Sequence, residues 1–361
     1  MEHTSEMETV LLRFLPWNKA RVPCLVQILQ SIFCTRTGNL TQIAAGFQTK
    51  AKEASAYRRV CRFFSEFSFD PSAIVPLILK LFSFKGKYTL IMDRTNWKWG
   101  KSPINLLVVS VAYLGIGIPI FWIVLDREGN SSVKDRTTLL KRVVKRFGID
   151  RIEAFVADRE FVGKEWFDFL SEQNIPFVIR VKKNFLAEGI CSDSPRPLET
   201  LCKQVDQNRK LENFPVRLWG RELYISVKRG KRSKDPIIVA SNREFKKPLA
   251  IYKRRWEIEI LFGCLKKRGF RMEDTRLIDG NKIEKLMFVL AIAFCWSYRA
   301  GEIKTRKIPT EIKSHGRKAK SIFREGVDLI RRALFRVREG IEDLRQLLLC
   351  FHRLESGSYV F

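Results

Sequence analysis

An aromatic hydroxyl, a guanidinium, a carboxylate and an amine recur along one short stretch, at Tyr252, Arg255, Glu259 and Lys266. Their offsets of 0, 3, 7 and 14 fall within roughly 60° of one another on a helix that turns about 100° per residue. An amphipathic helix turns apolar residues inward and spreads charge elsewhere. Here Trp256, Ile260, Leu261 and Phe262 are expected to supply the buried side, leaving the polar column to face something else. Two further carboxylates, Asp93 and Asp158, follow directly on the apolar runs YTLIM and EAFVA. An Asp that ends a strand is, taken singly, most often a turn former. Side chains at strand ends in open α/β sheets also point into the usual ligand crevice.

Carboxylates converging from different elements suit hard cations. Hydrolysis or transfer at a phosphodiester runs on two Mg²⁺ ions about 3.5 to 4 Å apart, one activating the attacking oxygen and the other stabilising the leaving one. Mg²⁺ takes carboxylates and water, so Asp93, Asp158 and Glu259 would suffice as its ligands. Arg255 and Lys266 would then hold phosphates beside the metals, and Tyr252 would hydrogen-bond a phosphate oxygen. Other chemistries find little support. Histidine occurs only at positions 3, 315 and 352, and the eight cysteines contain no Cys-x-x-Cys pair. A zinc site, a His-based triad and a secreted disulfide framework are therefore not signalled.

The elements that must position these residues change character along the chain. Residues 23 to 80 read as short helices, PCLVQILQSIF, LTQIAAGF, ASAYRRVCRFFSEF and PSAIVPLILKLF, forming a small all-helical unit. Its third helix carries Arg58, Arg59 and Arg62 and would lie along a DNA groove; a solvated basic face on a helical hairpin is the other reading. From Lys87 the order is three strands, helix, strand, helix, strand, with Gly148 closing the first helix. That order predicts an α/β class, a mixed sheet with helices packed on it. Residues 184 to 235 are less regular, with a hairpin expected in VRLWG and ELYISVKRG, and look like a β-rich insertion. Strand IIVAS follows, then one long helix from about Leu249 to Lys267, an apolar core helix KIEKLMFVLAIAFCW, and a basic C-terminal region whose last helix carries Arg331, Arg332 and Arg336. The expected domains are 1–84, helical and DNA-binding; 85–300, catalytic; and 301–361, basic and helical.

Lys and Arg number 67 against 39 Asp and Glu, a formal charge of +28, which attracts polyanions. The acidic start MEHTSEMETV lacks the basic and apolar regions of a signal peptide, so export is not expected. Residues Ile104 to Leu125 are uncharged and about long enough to span a bilayer. Gly115, Gly117 and Pro119 near the middle, between LLVVSV and IPIFWIVL, favour a buried β-hairpin instead. No membrane partner is expected.

At this point the sequence resembles the DDE transposases of bacterial insertion sequences, in the cut-and-paste branch marked by Tyr, two residues, Arg, three residues, Glu, six residues, Lys. Here that motif reads YKRRWEIEILFGCLK, the first Asp sits in LIMDRTNWKWG and the second in VADREFVG. The resemblance, over roughly residues 40 to 325, implies an RNase H-like catalytic fold with the β-rich insertion ahead of the Glu-bearing helix. It implies Asp93, Asp158 and Glu259 as metal ligands for Mg²⁺, with Mn²⁺ as a substitute. Tyr252, Arg255 and Lys266 become contacts to transposon-end DNA, with Arg159 and Glu160 in support. It further implies cleavage at terminal inverted repeats through end hairpins, joining to target DNA, a homodimer in a synaptic complex, and a cytoplasmic, nucleoid-associated location. A bent hairpin end is held by an aromatic that stacks a flipped base; Trp219 or Tyr224 is the expected wedge, an ordinary core aromatic being the other reading. Two rivals share the DNA-binding expectation: a shortened, inactive derivative acting as inhibitor, to which the short stretch after the last helix points, and a structure-selective nuclease that cuts without joining.

Overall fold

The computed structural model describes residues 2–15, 17, 21–82, 84, 86–189, 192–203, 205, 209–230, 235–314 and 316–335. In chain order its helices and strands begin with α1 (Glu2–Phe14), α2 (Arg21–Thr35), α3 (Leu40–Ala45), α4 (Glu53–Ser65) and α5 (Ile74–Leu81). Then come β1 (Tyr88–Trp99), β2 (Ser102–Tyr113), β3 (Ile116–Leu125), α6 (Val133–Phe147), β4 (Ile152–Ala157), α7 (Lys164–Glu172) and β5 (Phe177–Arg180). They are followed by β6 (Leu186–Gly189), β7 (Ser192–Pro197), α8 (Glu199–Lys203), β8 (Lys210–Leu218), β9 (Arg221–Lys228) and β10 (Ile237–Ser241). The last are α9 (Pro248–Lys253), α10 (Trp256–Leu265), α11 (Gly280–Lys307) and α12 (Ile322–Phe335). Helix α1 was not expected from the sequence.

Two compact units emerge: residues 1–84, 96–104 and 262–361 in one, and 85–95 with 105–261 in the other. These bounds differ from the three expected domains, because α11 and α12 pack with the N-terminal helices. In the first unit α11 is long and apolar enough to cross a membrane by length and composition, yet it is largely buried, among α2, α4, α5 and α12. It is the core helix expected, extended to 28 residues. Where α11 and α12 cross, a Cβ on Gly301 would meet Ile322 O at 1.9 Å and one on Gly326 would meet Ser297 O at 1.7 Å, so only glycine allows the approach. Helix α12 is the expected last helix, and Arg336 lies outside the described residues.

The second unit is built on a sheet whose ten strands, among the described residues, run β3-β2-β1-β4-β5-β10-β9-β8-β6-β7. Strands β2 and β3 form the expected hairpin, turning at Leu114 (φ 48°) and Gly115 (φ 87°). Pro119 is tolerated because β3 is an edge strand. Strand β4 pairs in parallel with β1 and β5, and β10 runs antiparallel to β5. This mixed α/β arrangement is consistent with the RNase H-like fold that the motifs imply. The expected insertion continues the same sheet through β10 and β9.

Successive side chains of a strand point to opposite faces, and here the two faces are covered by different helices. Ala154, Val156, Val178 and Val239 form a core with Tyr252 and Phe245, against which Leu249 and Ile251 pack. Phe155 and Phe177 point the other way, to Trp166 and Phe167 of α7, with ring centroids 5.8 and 4.8 Å apart. Asp158, two residues beyond Val156, thus falls on the α9 side.

One expectation fails here. The single helix over Leu249–Lys267 is two helices, α9 and α10, separated by a tightened turn in which Arg255 N–H donates to Tyr252 O and Ile258 N–H to Arg255 O. The break lets neighbouring arginines serve different partners. Arg254 donates to Ala112 O at 2.9 Å, while Arg255 turns to Asp93. The apolar side is also reversed in part: Trp256 and Ile260 are 57% and 38% exposed, whereas Tyr252 and Arg255 are buried. Tyr252 and Arg255 turn inward because Asp158 and Asp93 lie beneath them to accept from their donors, while Glu259 stays partly exposed.

Candidate functional site

Asp93 and Asp158 come together through strand register. Met92 pairs with Ala157 on the parallel strands β1 and β4, so the residue after each extends side by side from the same end of the sheet. Asp93 does not close its strand as expected: β1 runs on to Trp99, while pairing with β4 stops at Met92. Each carboxylate accepts the backbone N–H of the next residue, Arg94 to Asp93 Oδ1 at 2.8 Å and Arg159 to Asp158 Oδ1 at 2.8 Å. Such bonds fix the carboxylate rotamers.

The helical segment supplies the third carboxylate and the links. Arg255 donates to Asp93 Oδ2 at 3.1 Å and to Glu259 Oε1, so one guanidinium joins both. Its side chain is 7% exposed, against 38% for Glu259. Tyr252 donates its hydroxyl to Asp158 Oδ1 at 3.2 Å. Burial, then the charge of Asp158, pushes the phenol up to about 12, so it stays a donor at neutral pH. Glu257 holds this arrangement from behind, accepting the N–H groups of Tyr113 and Gly115 at the β2–β3 turn.

A second layer ties the two strands together. Arg94 makes a two-pronged pair with Glu160, at 3.0 and 3.1 Å, and donates to Asn105 Oδ1 at 3.0 Å. Asn105 donates in turn to Arg127 O and Gly129 O. Arg136 donates to Glu160 O at 3.1 Å, and Arg180 stands 3.8 Å from Asp158. Sequence reasoning gave Glu160 a supporting role and missed Arg94, Asn105 and Arg180. Arg94 directly follows Asp93, the one local signal that was available.

The remaining sequence-selected residues lie elsewhere. Lys266 belongs to the first unit, where it pairs with Glu273 at 2.8 Å, donates to Asn96 O and stands over Trp97. Arg58 and Arg62 are exposed on α4, and Arg59 stands over the Phe47 ring. Trp219 sits at the two-residue turn of the β8–β9 hairpin with φ 53°, its ring against Phe167 and Phe185 at 5.4 and 5.2 Å. Tyr224 is half-buried on β9.

Among the described residues no three His, Cys, Asp or Glu side chains stand close enough to grip a metal ion. The donor set nevertheless suits a hard cation, being all oxygen. Burial, with the charges of Glu160 and Asp158 adding to it, pushes Asp93 up to about 6 despite Arg94 N–H and Arg255. A divalent cation held by these carboxylates would oppose that rise by favouring the ionised form.

The raised value has a consequence for stability. Because folding favours the protonated acid, the ionised form costs nothing below the ordinary value of 3.8 and its full cost is felt above about 6. Asp93→Asn should therefore raise metal-free stability at pH 8 by about 1–3 kcal/mol, and the gain should fade near pH 4. Thermal melts in chelator at the two pH values check this; an equal effect at both would contradict it.

No curated protein matches the chain. The crystal structure of endonuclease V from Bacillus subtilis is similar at 11% identity, covering 58% of this chain and 90% of that one, with a TM-score of 0.28, too remote to define the fold. The family model described as "Transposase DDE domain" matches residues 84–296, a span that holds Asp93, Asp158 and Glu259. With more than half of its length matched in this way, the chain belongs to the transposase DDE domain family.

Proposed function

We propose that this DNA transposase, a metal-dependent polynucleotidyl transferase by family, cuts the terminal repeats of its element and joins them to target DNA with Asp93, Asp158 and Glu259 as metal ligands. The observation that carries this reading is the parallel register of Met92 with Ala157, which sets Asp93 beside Asp158, with Glu259 attached through Arg255. Bound there, Mg²⁺, or Mn²⁺ in its place, supplies activation of the attacking oxygen and stabilisation of the leaving one. Arg255 holds Glu259 toward Asp93, and Tyr252 holds Asp158 from its other side. Both are buried, which supports a positioning role where the Tyr-Arg-Glu-Lys motif implies DNA contact. Exposed Arg58 and Arg62 on α4 are suited to phosphates of the transposon end, and two copies would pair the ends in a synaptic complex.

The route belongs to the cut-and-paste branch, with an end hairpin between cutting and joining. The wedge that holds the bent end is assigned to Trp256. Its ring is exposed beside the Arg255 guanidinium, 5.1 Å from the ring centroid, while Trp219 is committed to Phe167 and Phe185. Stacking one base on an aromatic is worth about 1–3 kcal/mol, so Trp256→Ala should slow hairpin formation by about 5- to 100-fold and let nicked ends accumulate. Denaturing gels of end-labelled DNA measure both products; an equal fall in nicking and hairpin formation would refute the assignment.

Cutting alone does not separate a transposase from a nuclease. Supplied with a pre-cut terminal repeat bearing a free 3′-hydroxyl, the protein should join it to plasmid DNA in Mg²⁺ or Mn²⁺. Cleavage of intact ends without any joined product from pre-cut ones would favour the nuclease.

A further inference from the structure

In the first unit, four arginines gather where α2 ends against α12 and the segment after α10. Arg36 donates to Arg268 O at 3.0 Å, and Arg271 donates to Arg36 O at 3.1 Å and Thr35 O at 3.3 Å. Both residues adopt left-handed backbone angles, φ 56° and 44°, an uncommon conformation for a side-chain-bearing residue. Arg324 and Arg331 come from α12. The pKa of Arg36 is lowered by burial first and then by Arg324, Arg331 and Arg271, with Asp328 opposing.

Charge here is not balanced. Arg324 pairs with Asp328 at 3.0 Å, Lys320 shares the same carboxylate at 2.8 Å, and Arg271 stands 3.5 Å from Asp274. Among the described residues, four guanidiniums and an ammonium thus meet two carboxylates. Among the described residues, the Nε–H groups of Arg36 and Arg331 are buried without a hydrogen-bond partner, and an unmade bond to a buried donor is costly. Arg271 is explained by the carbonyls that it satisfies at the end of α2, and Arg36 by the Arg268 carbonyl in the segment after α10. Arg331 is not: its guanidinium stands over the Phe335 ring at 5.8 Å, which satisfies none of its donors. Like charges are gathered at a cost when something anionic and fork-shaped fits them, and the guanidinium fork matches phosphate oxygens.

We infer that Arg36, Arg271, Arg324 and Arg331 form a second DNA contact, which grips the sugar–phosphate backbone outside the carboxylate site. The contact rests on the transposase reading for its ligand and carries no base specificity, since phosphate contacts position without reading sequence.

The test uses the full chain in chelator, so that cutting plays no part. Binding to a labelled duplex is followed from about 50 to 200 mM salt, where each phosphate contact contributes about 0.9 to the slope of log affinity on log salt. The double variant Arg324→Gln, Arg331→Gln should lower that slope by about one to two and weaken binding near 0.1 M salt by about tenfold or more. Arg324→Lys with Arg331→Lys should keep most of the slope. Should the Gln double variant fail to fold, Arg331→Gln alone should still lower the slope by about one. An unchanged slope and affinity in a folded variant would overturn the inference. So would a tripolyphosphate-induced rise in Tm that the substitutions abolish while DNA binding stays unchanged, because the occupant would then be a free polyphosphate. Absence of any DNA binding by the parent protein would instead defeat the transposase reading itself.

Discussion

Glu259→Ala should remove strand cleavage while leaving DNA binding in place. Glu259 is the most exposed of the three carboxylates, at 38%, and its links to the rest of the site run through Arg255, which keeps Asp93 as a partner when Glu259 is gone. Little of the fold therefore depends on it. Its worth is as an oxygen ligand and as a negative charge that draws a cation to the two aspartates. Loss of one ligand should cost about 10³-fold or more in cleavage rate, equivalent to about 4 kcal/mol of transition-state stabilisation. Affinity for the terminal repeat should hold or rise slightly, since a carboxylate facing phosphates repels them. Gel-shift and cleavage assays on the same DNA separate the two quantities. Residual cutting within about tenfold of the parent would remove Glu259 from the site.

Arg255→Ala has the second largest expected effect, on stability rather than chemistry alone. A guanidinium 7% exposed joins Asp93 and Glu259, and removing one partner of a buried ion pair typically costs about 3–5 kcal/mol because the other charge is left uncompensated. Asp93, already pushed up to about 6 with Arg255 in place, would be driven higher still. In chelator the variant should unfold about 3 kcal/mol more readily at pH 8, and by less near pH 5, where Asp93 takes up its proton. Added Mn²⁺ should return part of the loss, because a divalent cation replaces the missing charge. Denaturant titrations with and without metal measure this; a loss below about 1 kcal/mol would show that the guanidinium is not what compensates the carboxylates.

Much of the second unit was legible because period-2 apolar runs and turn residues mark strands wherever they occur. The hairpin that mimics a membrane span was readable from Gly115, Gly117 and Pro119 set between two runs of strand formers. The continuous helix over Leu249–Lys267 was not what forms, since the break at Arg254 and Arg255 comes from partners at Ala112 and Asp93, distant in sequence and invisible to any local pattern. The same cause reversed the faces of Trp256 and Ile260. Spacing drew attention to Tyr252, Arg255 and Glu259, and the structure brings them to Asp93 and Asp158. Lys266 kept its place in the motif, but α10 ends at Leu265 and Lys266 turns to Glu273 and Asn96. Arg94 paired with Glu160 was missed because an ion pair between strands depends on register. Packing of α11 and α12 with the N-terminal helices likewise leaves no trace in composition.

The most direct measurement is a time course on DNA bearing the element's own terminal repeats, with the parent protein and Asp93→Ala side by side in Mg²⁺ and in Mn²⁺. The parent should nick the repeat end first and form strand-transfer product afterwards, and Asp93→Ala should bind the same DNA and do neither. Tight binding by the parent with no cut product under either metal, and Asp93→Ala indistinguishable from it, would contradict the account and leave a DNA-binding protein without this activity.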